Sequence, residues 1–316
     1  LLDRSGGPHV APDRAHAPPR EMLMSSDRSK VPERLVESAY MAVKKCRHGT
    51  MMYNVNDAFI GRSLDLYGEW CDDETFVLGH IVKAGDVVVD VGANIGTHTV
   101  FFAQRVTPVG LVIAFEPQRL IFQTLCGNVA LNGLTNVVTF QAAVGEARGK
   151  LTFPPIDPRI TFNFGAVRGT SAGAGEAVDL LPIDELCLPR CTLLKVDVEG
   201  MEASVIAGAK DTIARCRPAL FLENDTVERS REVLEAVESV GYKAYWHIAS
   251  YFSTKNFFEN KENVFGRYQP EANILCVPKE CPFTGLPEVL GADDDWRKAL
   301  DRILRTRRSR QSASAG

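Results

Sequence analysis

Short apolar runs recur through the middle of the chain, at residues 87–91 (VVVDV), 111–115 (LVIAF), 137–142 (VVTFQA), 193–196 (LLKV) and 219–222 (ALFL). They are rich in β-branched and aromatic residues, the pattern of strands buried on both faces. Between several of them lie stretches of helical length with apolar positions three and four residues apart: 97–105, 119–132, 201–215 and 227–240, the last stopped by Gly241. Strand and helix alternating in this way predict an α/β fold, a parallel sheet doubly wound with helices on both faces. Two further strands, 243–247 (KAYWH) and 272–278 (ANILCVP), flank an aromatic, Asn-rich loop over about 250–270. Their hairpin predicts an antiparallel edge strand and a total of seven strands.

The pattern divides the chain. Residues 1–31 are rich in Pro, Ala, Arg, Ser and Asp without apolar periodicity, which predicts a flexible, disordered or loosely packed arm. Residues 32–84 form a lead-in of helical and β character, a candidate cap over a substrate; 85–280 carry the alternating pattern; 281–316 hold a helix from Trp296 that passes into a basic, Ser/Ala-rich tail. Residues 150–175 are broken repeatedly by Pro and Gly, which predicts a loop or small β insertion over a site.

Composition narrows the class. The 316 residues are 45% hydrophobic and 24% charged, in the ordinary globular range. The formal charge of −4 supplies no overall basic field, so nucleic acid is not the expected partner. The apolar runs fall far short of the roughly 18–20 residues of a membrane-spanning helix. The first twenty residues carry charges and prolines where a signal peptide is apolar. The 8 cysteines are scattered, and the closest pair, Cys187 and Cys191, is not a CxxC. Reduced thiols in a cytoplasmic protein are the expectation.

Candidate chemistry begins at residues 86–99 (DVVVDVGANIGTHT), a strand, an acid, a glycine turn and a helix start. Ligands of doubly wound sheets bind outside the carboxyl ends of the strands, and this turn is the usual place. A dinucleotide fingerprint, GxGxxG, needs its second glycine for close approach to a pyrophosphate. Here the turn is Gly92, Ala93, Asn94, Ile95, Gly96, with asparagine at that position. An acid at Asp90 repels phosphate and welcomes a cation. S-adenosylmethionine, which carries an ammonium and a sulfonium and no phosphate, suits that site. Glu116 lies twenty residues past Gly96, at the end of the second strand, where a carboxylate accepts both ribose hydroxyls. Ala142 and Ala143, after the third strand, leave room for an adenine ring beside Gln141.

The fourth strand runs into KVDVEGME, placing Lys195, Asp197, Glu199 and Glu202 around Gly200. Glu202 and Glu199 suit the positive end of the following helix. Asp197 would face the crevice, with Glu223 and Asn224 at the end of the fifth strand. Two arrangements stay open: Asp197, Glu223 and Asn224 as oxygen ligands of Mg²⁺, or Asp197 or Glu223 as general base. His247 closes the sixth strand and is a further catalytic candidate, and His98 opens the helix after the glycine turn as a possible cap. Tyr245, Trp246, Tyr251 and Phe252 are expected to wall the core and substrate pocket.

The segments DVGANIGTHT, AFEPQ, LLPIDEL, LLKVDVEGME, LEND and NILCVPKE, from Gly85 to about Glu280, together resemble the FkbM family of S-adenosylmethionine-dependent methyltransferases. The resemblance implies the Rossmann-like methyltransferase sheet and O-methyl transfer to a hydroxyl of a sugar, polyketide or other secondary metabolite. It implies that Gly92, Asn94 and Gly96 bind the methionine end of the cofactor, Glu116 the ribose, and that Asp197 and Glu199 line the crevice. The expected partner is a small-molecule or glycan acceptor, with specificity in residues 40–73, 152–175 and 250–270. A nicotinamide-dependent oxidoreductase is the competing enzyme class, without the YxxxK proton relay of short-chain dehydrogenases. An amino-directed nucleic-acid methyltransferase would carry an (N/D/S)PP(Y/F) segment where this chain has DVEG. A non-catalytic protein that binds S-adenosylmethionine or a partner is the remaining alternative.

Overall fold

The computed structural model describes residues 32–314, with side chains through residue 306. The arm expected over residues 1–31 lies outside the described residues. In chain order the elements are β1 (Val36–Glu37), β2 (Met41–Cys46), β3 (Gly49–Asn54), α1 (Ile60–Tyr67), α2 (Asp72–Ile81), β4 (Val87–Val91), α3 (Thr97–Val106), β5 (Leu111–Phe115), α4 (Arg119–Leu131), β6 (Val137–Phe140), β7 (Ala142–Val144), β8 (Gly149–Phe153) and β9 (Glu176–Leu181). There follow β10 (Leu193–Val196), α5 (Glu202–Ala207), α6 (Lys210–Cys216), β11 (Ala219–Glu223), α7 (Val227–Ser239), β12 (Tyr242–Ala249), β13 (Glu271–Pro278) and α8 (Trp296–Ser314).

A seven-stranded sheet forms the centre, in the order β12-β13-β11-β10-β4-β5-β6. Alternate residues of its strands feed two cores, as the two-residue period of a strand requires. Val88, Val112, Leu193, Phe221 and Leu275 pack against Leu78 of α2 and Phe102 and Val106 of α3. Val89, Leu194, Val196, Leu222 and Ile274 pack on the opposite face against Val205, Ile213 and Val233 of α5, α6 and α7. The mostly parallel, doubly wound α/β sheet matches the expectation from the alternating pattern.

Four details depart from that expectation. The antiparallel strand is β13, inserted between β11 and β12, so the edge strand β12 runs parallel to the rest. The third strand stops at Phe140, and after Gln141 the chain enters a second, three-stranded sheet of order β7-β9-β8. The helix expected over 201–215 is two helices: a Cβ on Gly208, at the break, would stand 2.0 Å from the carbonyl of Gly145, and Asp184 caps α6 by accepting from Asp211 N and Thr212 N at 2.9 and 2.7 Å. At the carboxyl end, α8 continues through the Arg-rich stretch to Ser314 instead of dissolving into a tail. No helix among the described residues is long and apolar enough to cross a membrane.

The lead-in is bound to the central layer through side-chain amides. Strand β3 presents an unpaired edge toward α4, and two asparagines on that helix satisfy it. Asn128 accepts from Met52 N at 2.7 Å and donates to Met52 O at 3.0 Å; Asn132 accepts from Thr50 N at 2.9 Å and donates to Thr50 O at 2.8 Å. The insertion closes over the same region, with Phe162 exchanging backbone hydrogen bonds with Asn56 and Ala58 and Phe164 buried beside Ile60 and Leu64.

Asn128 is fully buried and also donates to Ile95 O at 2.7 Å. Its replacement by alanine strands three backbone groups, and Asn128→Ala is expected to cost roughly 2–4 kcal/mol in urea unfolding. Asn132→Ala, at a half-exposed position, is expected to cost about 1 kcal/mol. Equal losses at both sites would refute the distinction.

Candidate active site

The turn between β4 and α3 builds the floor. Gly92 has φ +75°, and a Cβ there would stand 1.8 Å from the Asp197 carbonyl oxygen, so the turn tolerates no side chain and lies directly against the end of β10. Asn94, at φ +50°, occupies a left-handed conformation that asparagine tolerates. The backbone N–H groups of Gly92 and Ala93 both donate to Phe115 O, at 3.0 and 2.8 Å, which draws the turn toward the end of β5.

Glu116 follows directly. Its two carboxylate oxygens accept from Asn94 N at 3.1 Å and Gln118 N at 2.8 Å, which fixes its orientation. Burial pushes its pKa up to about 7, against the pull of those two amides.

Two joined cavities open above this floor. The first, about 490 Å³, is lined by Ala142, Ala143, Val144, Phe153, Val198 and Met201. The second, about 640 Å³, is lined by Asp197, Glu199, Glu223, Glu271, Lys195 and His98, with Phe59, Ile60, Trp70 and Tyr251 around it. Gly92, Glu116, Gly165, Asp197 and Glu199 belong to both. The lead-in, the insertion and the loop after β12 each contribute to this lining, through Trp70, Asn163 and Tyr251.

Beneath the second cavity lies a buried polar row. Lys195 Nζ stands 3.6 Å from Asp90 Oδ1 and 3.4 Å from Asp197 Oδ2. Burial works against its charge, yet Asp197, Asp90 and Glu74 outweigh it and hold the ammonium above its usual pKa. Glu74 accepts from Asn273 Nδ2 at 3.0 Å and lies 3.1 Å from His98 Nε2, a close approach that is off the line of a hydrogen bond. Burial raises Glu74 to about 7, while burial and then the charge of Lys195 lower His98 to about 3, leaving the imidazole neutral at physiological pH.

Of the residues singled out from sequence, Gly92, Ala93, Asn94, Glu116, Ala142, Ala143, Asp197 and Glu223 line the two cavities. Four do not. Asp90 is fully buried; it shares the face of Val88, turned toward α3, where it accepts from Thr99 Oγ1 at 2.6 Å and pairs with Lys195, so it meets no ligand. Gly96 is the left-handed residue that starts α3, one step behind the lining. His247 packs edge-on against Phe221 at 5.7 Å and opens on a different groove, between α2, β12 and α8. Trp246 also lines that groove and donates to Asp294, and Tyr245 packs on Phe283.

Asn224 is the fourth. It is buried away from the cleft, donating through its side chain to Ser230 Oγ at 3.0 Å and through its backbone to Ala272 O at 2.9 Å. Among the described residues no group of three or more His, Cys, Asp or Glu side chains is arranged to hold a metal ion. With Asn224 turned away, Asp197, Glu223 and Asn224 do not form the oxygen-donor set for Mg²⁺ that the sequence left open. Glu202 has a structural task, accepting from Gly200 N at 2.9 Å and Val198 N at 3.3 Å across the turn before α5.

Lys195, Glu74 and Glu271 were given no site role by the sequence, and Trp70 only as one position of the specificity segment 40–73. A lysine inside LLKVD, two residues before Asp197 and therefore on the same face, was a readable signal. The other three carry no local signal.

The buried pairing makes a prediction. Lys195→Met leaves Asp90 buried and uncompensated and is expected to destabilise the protein by about 3–5 kcal/mol. Adding Asp90→Asn should recover most of that loss in urea unfolding; additive losses would show that the two side chains are not coupled.

Comparison with known proteins follows the same segment. The family model described as a methyltransferase FkbM domain matches residues 90–244. The 31-O-demethyl-FK506 methyltransferase FkbM of Streptomyces tacrolimicus is 32% identical over 198 residues, covering 52% of this chain and 74% of that protein. The hexuronic acid methyltransferase AglP of Haloferax volcanii is 29% identical over 161 residues, covering 49% of this chain and 62% of AglP, less than two thirds of its length. A solved structure of an S-adenosylmethionine-dependent O-methyltransferase from Thermotoga maritima aligns with a TM-score of 0.45 at 13% identity, covering 77% of this chain and 79% of that one.

Proposed function

This chain belongs to the FkbM family of methyltransferases, and on that premise we propose that it transfers the methyl group of S-adenosylmethionine to a hydroxyl oxygen of a sugar or other secondary metabolite. One observation carries this: a small apolar cavity and an acid-lined cavity meet at Glu116, whose carboxylate is held in place by two backbone amides. The first matches an adenine ring, Glu116 a ribose diol, and the second a sulfonium and its acceptor. Relatives named for a hexuronic acid and for the 31-O position of FK506 support an oxygen acceptor.

S-adenosylmethionine supplies an electrophilic methyl on a sulfonium. The chain's own residues do the rest. Ala142 and Ala143 would leave room for the adenine, Gly92, Ala93 and Asn94 would bring backbone against the methionine end, and Asp197 and Glu199 would set carboxylates beside the cationic centres. Glu223, at the end of β11, takes the proton of the acceptor hydroxyl. Asp197 is instead placed beside the Lys195 ammonium, at 3.4 Å.

Isothermal titration with S-adenosylhomocysteine, with NAD⁺ and NADP⁺ as controls, tests the cofactor. Micromolar binding of S-adenosylhomocysteine alone is expected, and Glu116→Ala should weaken it by about 1–3 kcal/mol. Binding of a nicotinamide nucleotide instead would overturn the assignment.

The same titration has a pH signature. The Glu116 carboxyl is raised to about 7, so its charged form emerges only as pH climbs through that value. Affinity should therefore rise by up to about tenfold between pH 6 and 8. A flat profile would deny Glu116 the ribose.

Glu223→Gln is expected to lower kcat by about 10²–10⁴ with affinity for S-adenosylhomocysteine unchanged, and activity should persist in EDTA. Loss in EDTA with recovery on adding Mg²⁺ would replace the proton-transfer role with a metal one.

A further inference from the structure

We propose that Glu74 is the centre of a buried proton relay that serves the methyl transfer, with His98 connecting it to the cleft and His247 connecting it to the groove between α2, β12 and α8. The proton lost by the acceptor hydroxyl then leaves through the α2 side of the sheet. This rests on the assignment of the cleft to S-adenosylmethionine and a hydroxyl acceptor.

Two buried imidazoles share one buried carboxyl. His98 and His247 are each 6% exposed, and Glu74 is 4% exposed. His98 lines the second cavity, and its Nε2 stands 3.1 Å from Glu74 Oε2. His247 lines the groove behind the sheet together with Asp73 and Val77 of α2, the helix that carries Glu74. Asn273 joins the two sides: it pairs with Glu223 and with His247 in strand register, and it donates to Glu74 Oε1 at 3.0 Å. Neither His98 Nε2 nor His247 Nδ1 has a hydrogen-bond partner among the described residues. Buried polar nitrogens are ordinarily satisfied, and two left open around one carboxyl, one toward the cleft and one toward the groove, have the arrangement of groups that pass a proton on.

Methyl transfer breaks a C–S bond and forms a C–O bond, leaving the electron pair on sulfur and releasing the hydroxyl proton. Glu223 takes that proton, and His98, which lines the same cavity, accepts it at Nδ1 as Nε2 gives one to Glu74. The sulfonium charge vanishes as Glu74 becomes neutral, so turnover leaves the total charge around the cleft unchanged. The proton then passes from Glu74 to His247 and the groove, a step that the next sulfonium drives by favouring the carboxylate. The groups that face Glu74 suit this cycle. Burial favours its neutral form, His247 from β12 and Lys195 from β10 favour the ionised one, and Asp197 opposes them; the outcome, about 7, lets Glu74 both gain and lose a proton near neutral pH. His98 on α3 stays neutral between transfers, as burial and the Lys195 charge require.

The cofactor alone tests the relay. S-adenosylmethionine and S-adenosylhomocysteine are each titrated calorimetrically in buffers of different ionisation heat, which gives the protons released on binding. Both carry the same ribose, so the difference between them isolates the sulfonium. S-adenosylmethionine is expected to expel about 0.4 more protons per site at pH 7, the amount freed when a carboxyl half-protonated at that pH becomes about tenfold more acidic, and the difference should fade below about pH 5 and above about pH 9. Glu74→Gln should abolish the difference with S-adenosylhomocysteine affinity unchanged, a result that a purely structural role would not produce. In stopped flow with a pH indicator, His247→Phe should slow the release by about tenfold or more, and free imidazole should restore it. Equal release by the two ligands, or a difference that survives Glu74→Gln, overturns the relay and leaves the cofactor assignment standing. Release at the wild-type rate in His247→Phe overturns the exit through the groove. Binding of neither ligand overturns the cofactor assignment itself, and the relay with it.

Discussion

Strands β4 and β10 meet so closely at their carboxyl ends that the Asp197 carbonyl fills the space a side chain on Gly92 would need. That contact is the constraint on which the cleft depends. It forces the chain after Val91 into a tight left-handed turn, which in turn aims the Asn94 amide at Glu116 and places the Asp197 side chain where both cavities meet. A wider turn would separate the two cavities and release Glu116 from one of the two amides that hold it.

The price of this floor is a set of buried charges. Asp90 and Lys195 lie opposite one another on β4 and β10, inside an otherwise apolar sheet, and each is tolerable only because the other is there. The pairing extends upward to Asp197 and sideways to Glu74 and His98, so the stability of the sheet and the electrostatics of the cleft share residues. Lys195 limits how negative the floor becomes, while the acids beyond it set the sign of the field that a ligand meets.

The cover is attached by different means. Asparagine side chains of α4 complete the edge of β3 and backbone hydrogen bonds tie the insertion to residues 56–58, beside an apolar cluster in which Ile60, Leu64 and Phe164 pack with Ile95 and Ile121. Trp70 and Tyr251 line the second cavity from the lead-in and from the loop after β12. The insertion reaches both cavities, lining the first through Phe153 and Val167 and the second through Asn163.

The sequence by itself determined the elements whose demands are local. Strands buried on both faces show as short, mostly apolar runs, a left-handed turn had to be built from Gly92, Asn94 and Gly96, and a carboxylate at the end of β5 could be placed by counting from that turn. The tertiary structure decided which way each side chain faces and what it meets there. Asp90 turned inward because it shares a strand face with Val88, His247 turned to the groove behind the sheet, and Asn224 was taken by Ser230. Glu74, Trp70 and Glu271 entered the site from segments far apart in the chain. The periodicity of a strand states only that alternate residues oppose one another; which face meets the ligand depends on the packing of helices and loops that no local pattern encodes.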